Sequence, residues 1–373
     1  MTSAAQTQAA PATTAPTISV DARLVNIPVV VRDKKGALVR DLHKDDFDLQ
    51  VDGHQQTIRY FDLDSNLPLT LGLLIDTSYS QRDVIDDERE ASGTFLDEML
   101  KTDKDRAFII QFANQTDLLA DLTNSRPKLQ AGLKQVDTPS RSSNNSSNDP
   151  SDDSGSGSGR QQGRGGHAGG GTTLYDATFL ASDELMSKQK GRKALIILSD
   201  GVDNGSKENL VKSIESAQRA DAILYAIYFK GSESNSGNHG NNGGHVPRGG
   251  GIGFPGGGGG YPGGGGYPGG GGGRGGGGGR GGPGGGGNSH VDGKKILERM
   301  TQETGGRLFE VSKKQTVAQI YDQIAEELRS QYRLGYTPDT ATAADGYHQI
   351  DLTAKKKDLR LQTRDGYYTG NKD

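Results

Sequence analysis

Cysteine is absent from this chain, and with it go thiolate nucleophiles, disulfide staples and cysteine-ligated zinc or iron-sulfur centres. Core-forming residues are scarce as well. Of 373 residues 58 are glycine, and the mean hydropathy is -0.69, so the folded part is shorter than the chain. Neither sign of charge dominates: the net charge is -4 and the sequence pI about 6.0, which gives no general attraction to nucleic acid or to an anionic membrane. Any such binding has to be local. No apolar run approaches the length of a membrane span. Residues Met1 to Gln8 lack the basic and apolar regions of an export signal, although the Ala/Pro/Thr/Gln stretch around them is of the kind that follows a cleaved one. Two catalytic signatures are missing too. There is no Gly-x-Ser-x-Gly elbow to make Ser78 or Ser199 a hydrolytic nucleophile, and the glycine runs lack the Gly-Lys-Ser/Thr ending of a phosphate loop. The expectation is a non-enzymatic protein.

What is present falls into three rhythms. Residues 1–16 read as a disordered tail. Residues 17–66 are β-rich: Val25, Ile27, Val29 and Val31 alternate, Phe47, Leu49 and Val51 alternate again, and a strand is expected from His54 to Phe61 after the Asp52-Gly53 turn. Residues 67–330 alternate strands with helices, the pattern of a doubly wound, mainly parallel α/β sheet with helices on both faces. Its expected strands include Leu71 to Ile75, an antiparallel hairpin of Arg106 to Phe112 with Thr116 to Leu122, and Ala194 to Leu198. Helices are expected over Val84 to Leu100, Leu174 to Lys188 and Gln315 to Ser330, among others. Residues 331–369 return to strands, which are expected to join 17–66 in one small sandwich-like region rather than to form separate β appendages. The α/β part is interrupted at 138–171 and 231–289 by Ser/Asn/Asp/Gly-rich and Gly-rich segments that have little to bury and read as disordered.

The most informative segment is the strand Leu71 to Ile75 running into Asp76-Thr77-Ser78-Tyr79-Ser80. It sets a carboxylate and two serine hydroxyls at the tip of a buried strand, where α/β sheets bind ligands. Oxygen-only groups suit a hard divalent cation such as Mg2+. Two further oxygen donors sit where the alternation expects neighbouring loops: Thr172 in Gly170-Gly171-Thr172, and Asp200 in Leu198-Ser199-Asp200-Gly201. Taken singly these have ordinary readings, since Asp-x-Ser-x-Ser caps helices and Ser-Asp-Gly makes turns. In this order, at the ends of apolar strands, they converge.

Together these three pieces resemble the metal-ion-dependent adhesion site of the von Willebrand factor type A domain. Val29 to Gly36, Leu42 to Gly53 and Arg364-Asp365-Gly366-Tyr367-Tyr368 are similar, more narrowly, to the acidobacterial proteins related to that domain. The resemblance implies that Ser78, Ser80 and Thr172 are hydroxyl ligands and that Asp76 and Asp200 supply negative charge, partly through water. It implies Mg2+, or Mn2+ or Ca2+ in its place, with one coordination position left for an Asp or Glu carboxylate of a protein partner. Tyr79, at the variable position of the motif, is then a candidate partner contact. An extracytoplasmic location is implied by the same resemblance.

Two other readings stand beside adhesion. The glycine-rich segments suit a scaffold or envelope protein whose metal site is only structural. Their Arg-Gly-Gly elements at Arg164, Arg248, Arg274 and Arg280 also occur in RNA-binding segments, but the arginines are sparse and a flexible spacer is the simpler reading. His167, His239, His245 and His290 are irregularly spaced and read as solvated rather than as a zinc site.

Overall fold

The computed structural model describes residues 24–63, 67–137, 171–230, 292–338 and 344–370. The expected N-terminal tail and the two expected disordered insertions lie outside these residues. In chain order the strands and helices are β1 (Val25–Arg32), β2 (Phe47–Val51), β3 (His54–Gln56), β4 (Tyr60–Leu63), β5 (Leu69–Asp76), α1 (Ile85–Met99), β6 (Arg106–Phe112), β7 (Thr116–Thr123) and α2 (Arg126–Leu133). They continue as α3 (Leu174–Leu180), β8 (Arg192–Ser199), α4 (Leu210–Arg219), β9 (Ile223–Tyr228), α5 (Gly293–Glu303), β10 (Leu308–Glu310) and α6 (Val317–Arg329). The last four are β11 (Tyr332–Tyr336), β12 (Gly346–Ala354), β13 (Arg360–Gln362) and β14 (Gly366–Thr369).

The apolar runs make the central sheet, with order β10-β9-β8-β5-β6-β7. Every pairing is parallel except the β6-β7 hairpin. Each residue of β5 is buried, because helices cover both faces. One face packs on α1, α2 and α6 through Phe95, Leu96, Leu133, Ile320 and Ile324; the other packs on α3, α4 and α5 through Leu174, Ile214, Leu297 and Met300. Gly72 is required on the second face. A Cβ there would lie 2.4 Å from Phe108 and 2.5 Å from Leu195, whose side chains close over the strand from either side. Among the described residues no helix is long and apolar enough to cross a membrane.

The helix expected from Leu174 to Lys188 is interrupted. After Leu180 it passes through a wider π turn, Ala181–Met186, in which the Ser187 N–H donates to the Ser182 carbonyl at 2.9 Å. Periodicity of 3.6 does not reveal such a turn, because the apolar positions on either side still face the sheet.

Both chain ends build two four-stranded sheets, β13-β1-β11-β4 and β14-β12-β2-β3. Ile27, Val29, Tyr332 and Leu334 of the first interleave with Phe47, Leu49, Val51 and Ile350 of the second in one core. One expected strand divides. His54 to Phe61 becomes β3 and β4, in different sheets. At the other end of the chain β13 pairs with β1 and β14 with β12. Each crossing from sheet to sheet closes a corner of the sandwich, a demand of tertiary packing with no counterpart in local alternation.

Candidate metal centre

β5 lies between β6 and β8, and the chain leaves it toward β6 through α1 but reaches β8 from the far side through α3. Asp76 therefore sits at the carboxyl end of the strand where the winding reverses, which is where such sheets open a crevice. The register places Asp76 opposite Phe112 of β6 and Ile75 opposite Leu198 of β8, so Ser199 and Asp200 come up directly beside it.

Four of the expected residues form a short string of oxygen contacts. Asp76 is fully buried; its Oδ1 accepts the Ser78 N–H at 2.9 Å and its Oδ2 accepts the Ser199 hydroxyl at 2.6 Å. The Ser78 and Ser80 hydroxyls lie 3.0 Å apart, and Ser80 Oγ donates to Asp200 Oδ2 at 2.7 Å. Side chains hydrogen-bonded to the two carboxylates are thus serines rather than lysines or arginines. Burial pushes the Asp76 carboxyl up to about 7 despite the hydrogen bonds from Ser199 and Ser78, and the nearby Asp200 charge pushes the same way.

Asp200 owes its position to a glycine. Gly201 has φ +76, and a Cβ on it would meet the Gly293 carbonyl oxygen at 2.1 Å, so the loop after β8 and the start of α5 touch backbone to backbone. Asp292, the N-cap of α5, accepts the Lys295 N–H.

Thr172 is held differently. Its N–H donates to Asn204 Oδ1 at 2.6 Å, its carbonyl accepts from the Asn204 and Gly205 N–H groups, and the following Thr173 N–H bonds the Ala113 carbonyl. Since Thr77 N–H bonds the adjacent Phe112 carbonyl, the Thr172 loop is fastened by its backbone to the same strand ends that carry Asp76. Tyr79 opens the short helical turn Tyr79–Gln81; it is 46% exposed, with the Arg82 guanidinium 4.3 Å over its ring.

Beneath the string lies a carboxyl that the sequence reading missed. Glu88 on α1 is fully buried, and neither of its side-chain oxygens has a hydrogen-bond partner among the described residues. Burial, then the charges of Asp76 and Asp87, hold it well above the usual carboxylate range. Gln81 Oε1, also buried, is unpartnered as well. A signal for Glu88 existed: it falls on the stripe Ile85, Glu88, Ser92, Phe95, Met99, which is the buried face of α1.

These residues fit a hard divalent cation. Two carboxylates and neighbouring hydroxyls, with no nitrogen or sulfur donor, match the oxygen preference of Mg2+ or Ca2+, and a cation supplies the positive charge that the buried Asp76 lacks. Among the described residues there is no group of three or more His, Cys, Asp or Glu side chains that could hold a metal ion by themselves, so hydroxyls and water would complete the shell.

No protein-family model and no curated protein matches the chain. Solved structures do. The VWA domain of SpRpn10 is 10% identical over 69% of this chain and 95% of its own, with a TM-score of 0.36. Proximal thread matrix protein 1 from the mussel byssus, with its MIDAS motif occupied by zinc, is 12% identical over 75% of this chain, with a TM-score of 0.41; the match takes in 50% of that protein. BatB from Bacteroides thetaiotaomicron is 16% identical over 43% of this chain and 66% of its own, with a TM-score of 0.31. Each is a distant likeness.

Proposed function

We propose that this chain is a non-enzymatic, von Willebrand factor type A-like module that binds a protein partner through a divalent cation. The observation that carries the reading is the string Ser199–Asp76 and Ser78–Ser80–Asp200, collected from two adjacent parallel strands at the point where the sheet's winding reverses. Ser78, Ser80 and Thr172 are the hydroxyl ligands in this reading, and Asp76 and Asp200 supply charge. When bound, the cation offers a Lewis-acidic position to an Asp or Glu carboxylate of the partner. Ser199 holds Asp76 in place, and Tyr79 flanks the mouth. Mg2+ is the favoured ion, with Mn2+ or Ca2+ able to replace it. The narrower likeness to the acidobacterial group rests on the sequence segments alone.

The test is binding to an array of peptides that present single Asp or Glu residues. Binding in Mg2+ that vanishes with chelator and with Asp200→Ala supports the reading. Binding that is indifferent to both refutes it.

A further inference from the structure

The opposite end of the same sheet carries a second site of contrary charge. Where β8 and β9 begin, a cleft of about 440 Å³ separates the α/β layer from the β1 and β11 wall of the sandwich. Four bases line it: Lys190, Arg192 and Lys193 from the turn into β8, and Arg333 from β11. The one acid among the lining residues, Asp221, is already engaged by Arg364 Nη1 at 2.6 Å. The cleft therefore holds a surplus of positive charge in a molecule whose net charge is -4.

Each base stands in a distinct condition. Arg192 spends its guanidinium on backbone, donating to the Leu67 carbonyl from Nε and Nη2 and to the Leu328 carbonyl from Nη1, which makes it a fixed charge. Lys193 is drawn inward, its ammonium on the Gln189 carbonyl at 3.2 Å, and burial lowers its pKa against the opposing pull of Asp221. Arg333 lies 4.7 Å over the Tyr60 ring and gives Nη2 to the Tyr60 hydroxyl, while its Nε has no acceptor among the described residues. Lys190 is exposed at the rim. A half-buried ammonium hydrogen-bonded only to a backbone carbonyl, and a guanidinium with an unspent donor, are both stabilised by an oxyanion, which a guanidinium grips through paired N–H groups.

None of the lining residues is aromatic, so the cleft has no platform for a base or a sugar ring. What it reads is the anionic group itself. We infer that this cleft binds the phosphate or sulfate group of a small, multiply charged ligand on Lys190, Lys193 and Arg333, with Arg192 as the fixed charge behind them. The sequence carries a trace of it in Lys188-Gln189-Lys190-Gly191-Arg192-Lys193, four bases in six residues. The site owes nothing to the cation centre, which lies at the other end of the strands.

Isothermal titration of pyrophosphate and of sulfate into the full chain, at low salt and without divalent ions, tests this. The expected result is saturable binding of one anion per chain, weakened about tenfold or more by Lys193→Gln and by Arg333→Gln, each of which removes a charge-assisted contact. Lys190→Gln, on an exposed side chain that the fold does not need, weakens it about threefold. Lys101→Gln, in the neighbouring cleft, leaves it unchanged. Preference for one anion names the group. No binding at millimolar concentration overturns the proposal, and so does binding that all three cleft variants retain, since that is general surface attraction. Where Lys193→Gln or Arg333→Gln fails to fold, Lys190→Gln decides.

Discussion

Asp76 places the cost of the proposed metal centre in a single carboxyl. Its pKa is raised from 3.8 to about 7 by burial, so the folded protein holds a proton there that the unfolded chain releases near pH 4. The group's favourable contribution is complete below the unfolded value and is lost as pH rises through 7, a swing on the order of 4 kcal/mol for three pH units of displacement. In chelator, the unfolding temperature of Asp76→Asn relative to the wild type is therefore expected to be higher at pH 8 than at pH 5, where only part of that contribution has been lost. Thermal scans at the two pH values check this. An unchanged difference between them would show that Asp76 does not titrate in that window.

The residues of the site were legible unequally. Asp76, Ser78, Ser80 and Asp200 stand in short motifs at the ends of apolar runs, so the strand pattern singles them out as candidates. Thr172 is positioned by backbone hydrogen bonds to Asn204 and Gly205, partners some thirty residues on. Glu88 was passed over because an acid on a helix is ordinarily solvated, and only its place on the apolar stripe betrays it.

At the level of elements, the continuous apolar strands and the amphipathic α4, α5 and α6 follow from sequence pattern because local pattern and burial agree. Where they part, the expectation failed. The strand expected from His54 to Phe61 serves two sheets, and the π turn after α3 leaves no mark on periodicity. Arg364 is among the side chains that join the sandwich to the α/β layer. Arg364, between β13 and β14, is 4% exposed; its Nη1 meets Asp221 in the turn between α4 and β9, and its Nη2 donates to the Asn26 carbonyl of β1 at 2.6 Å. Arg364→Ala is expected to lower stability by about 2–3 kcal/mol, since it leaves the Asn26 carbonyl without its charged donor. A urea midpoint equal to that of the wild type contradicts this.

For the whole molecule, the sandwich is closed by residues from both ends of the chain. β1 is flanked by β11 and β13, and β12 lies between β2 and β14. Such pairings are remote in sequence and slow to form, which leaves β2 a bare apolar edge until β12 arrives. Ending the chain at residue 343 removes β12 to β14 and is expected to give an aggregating product on size-exclusion chromatography. A soluble monomer of the shortened chain contradicts the shared sandwich.

The central claim concerns the other end of the sheet, and calorimetric titration of Mg2+ into the full chain at pH 7.5 reaches it most directly. The wild type is predicted to bind one ion per chain saturably, with the heat abolished in Asp76→Ala and in Asp200→Ala. Identical titrations of wild type and Asp76→Ala would contradict it.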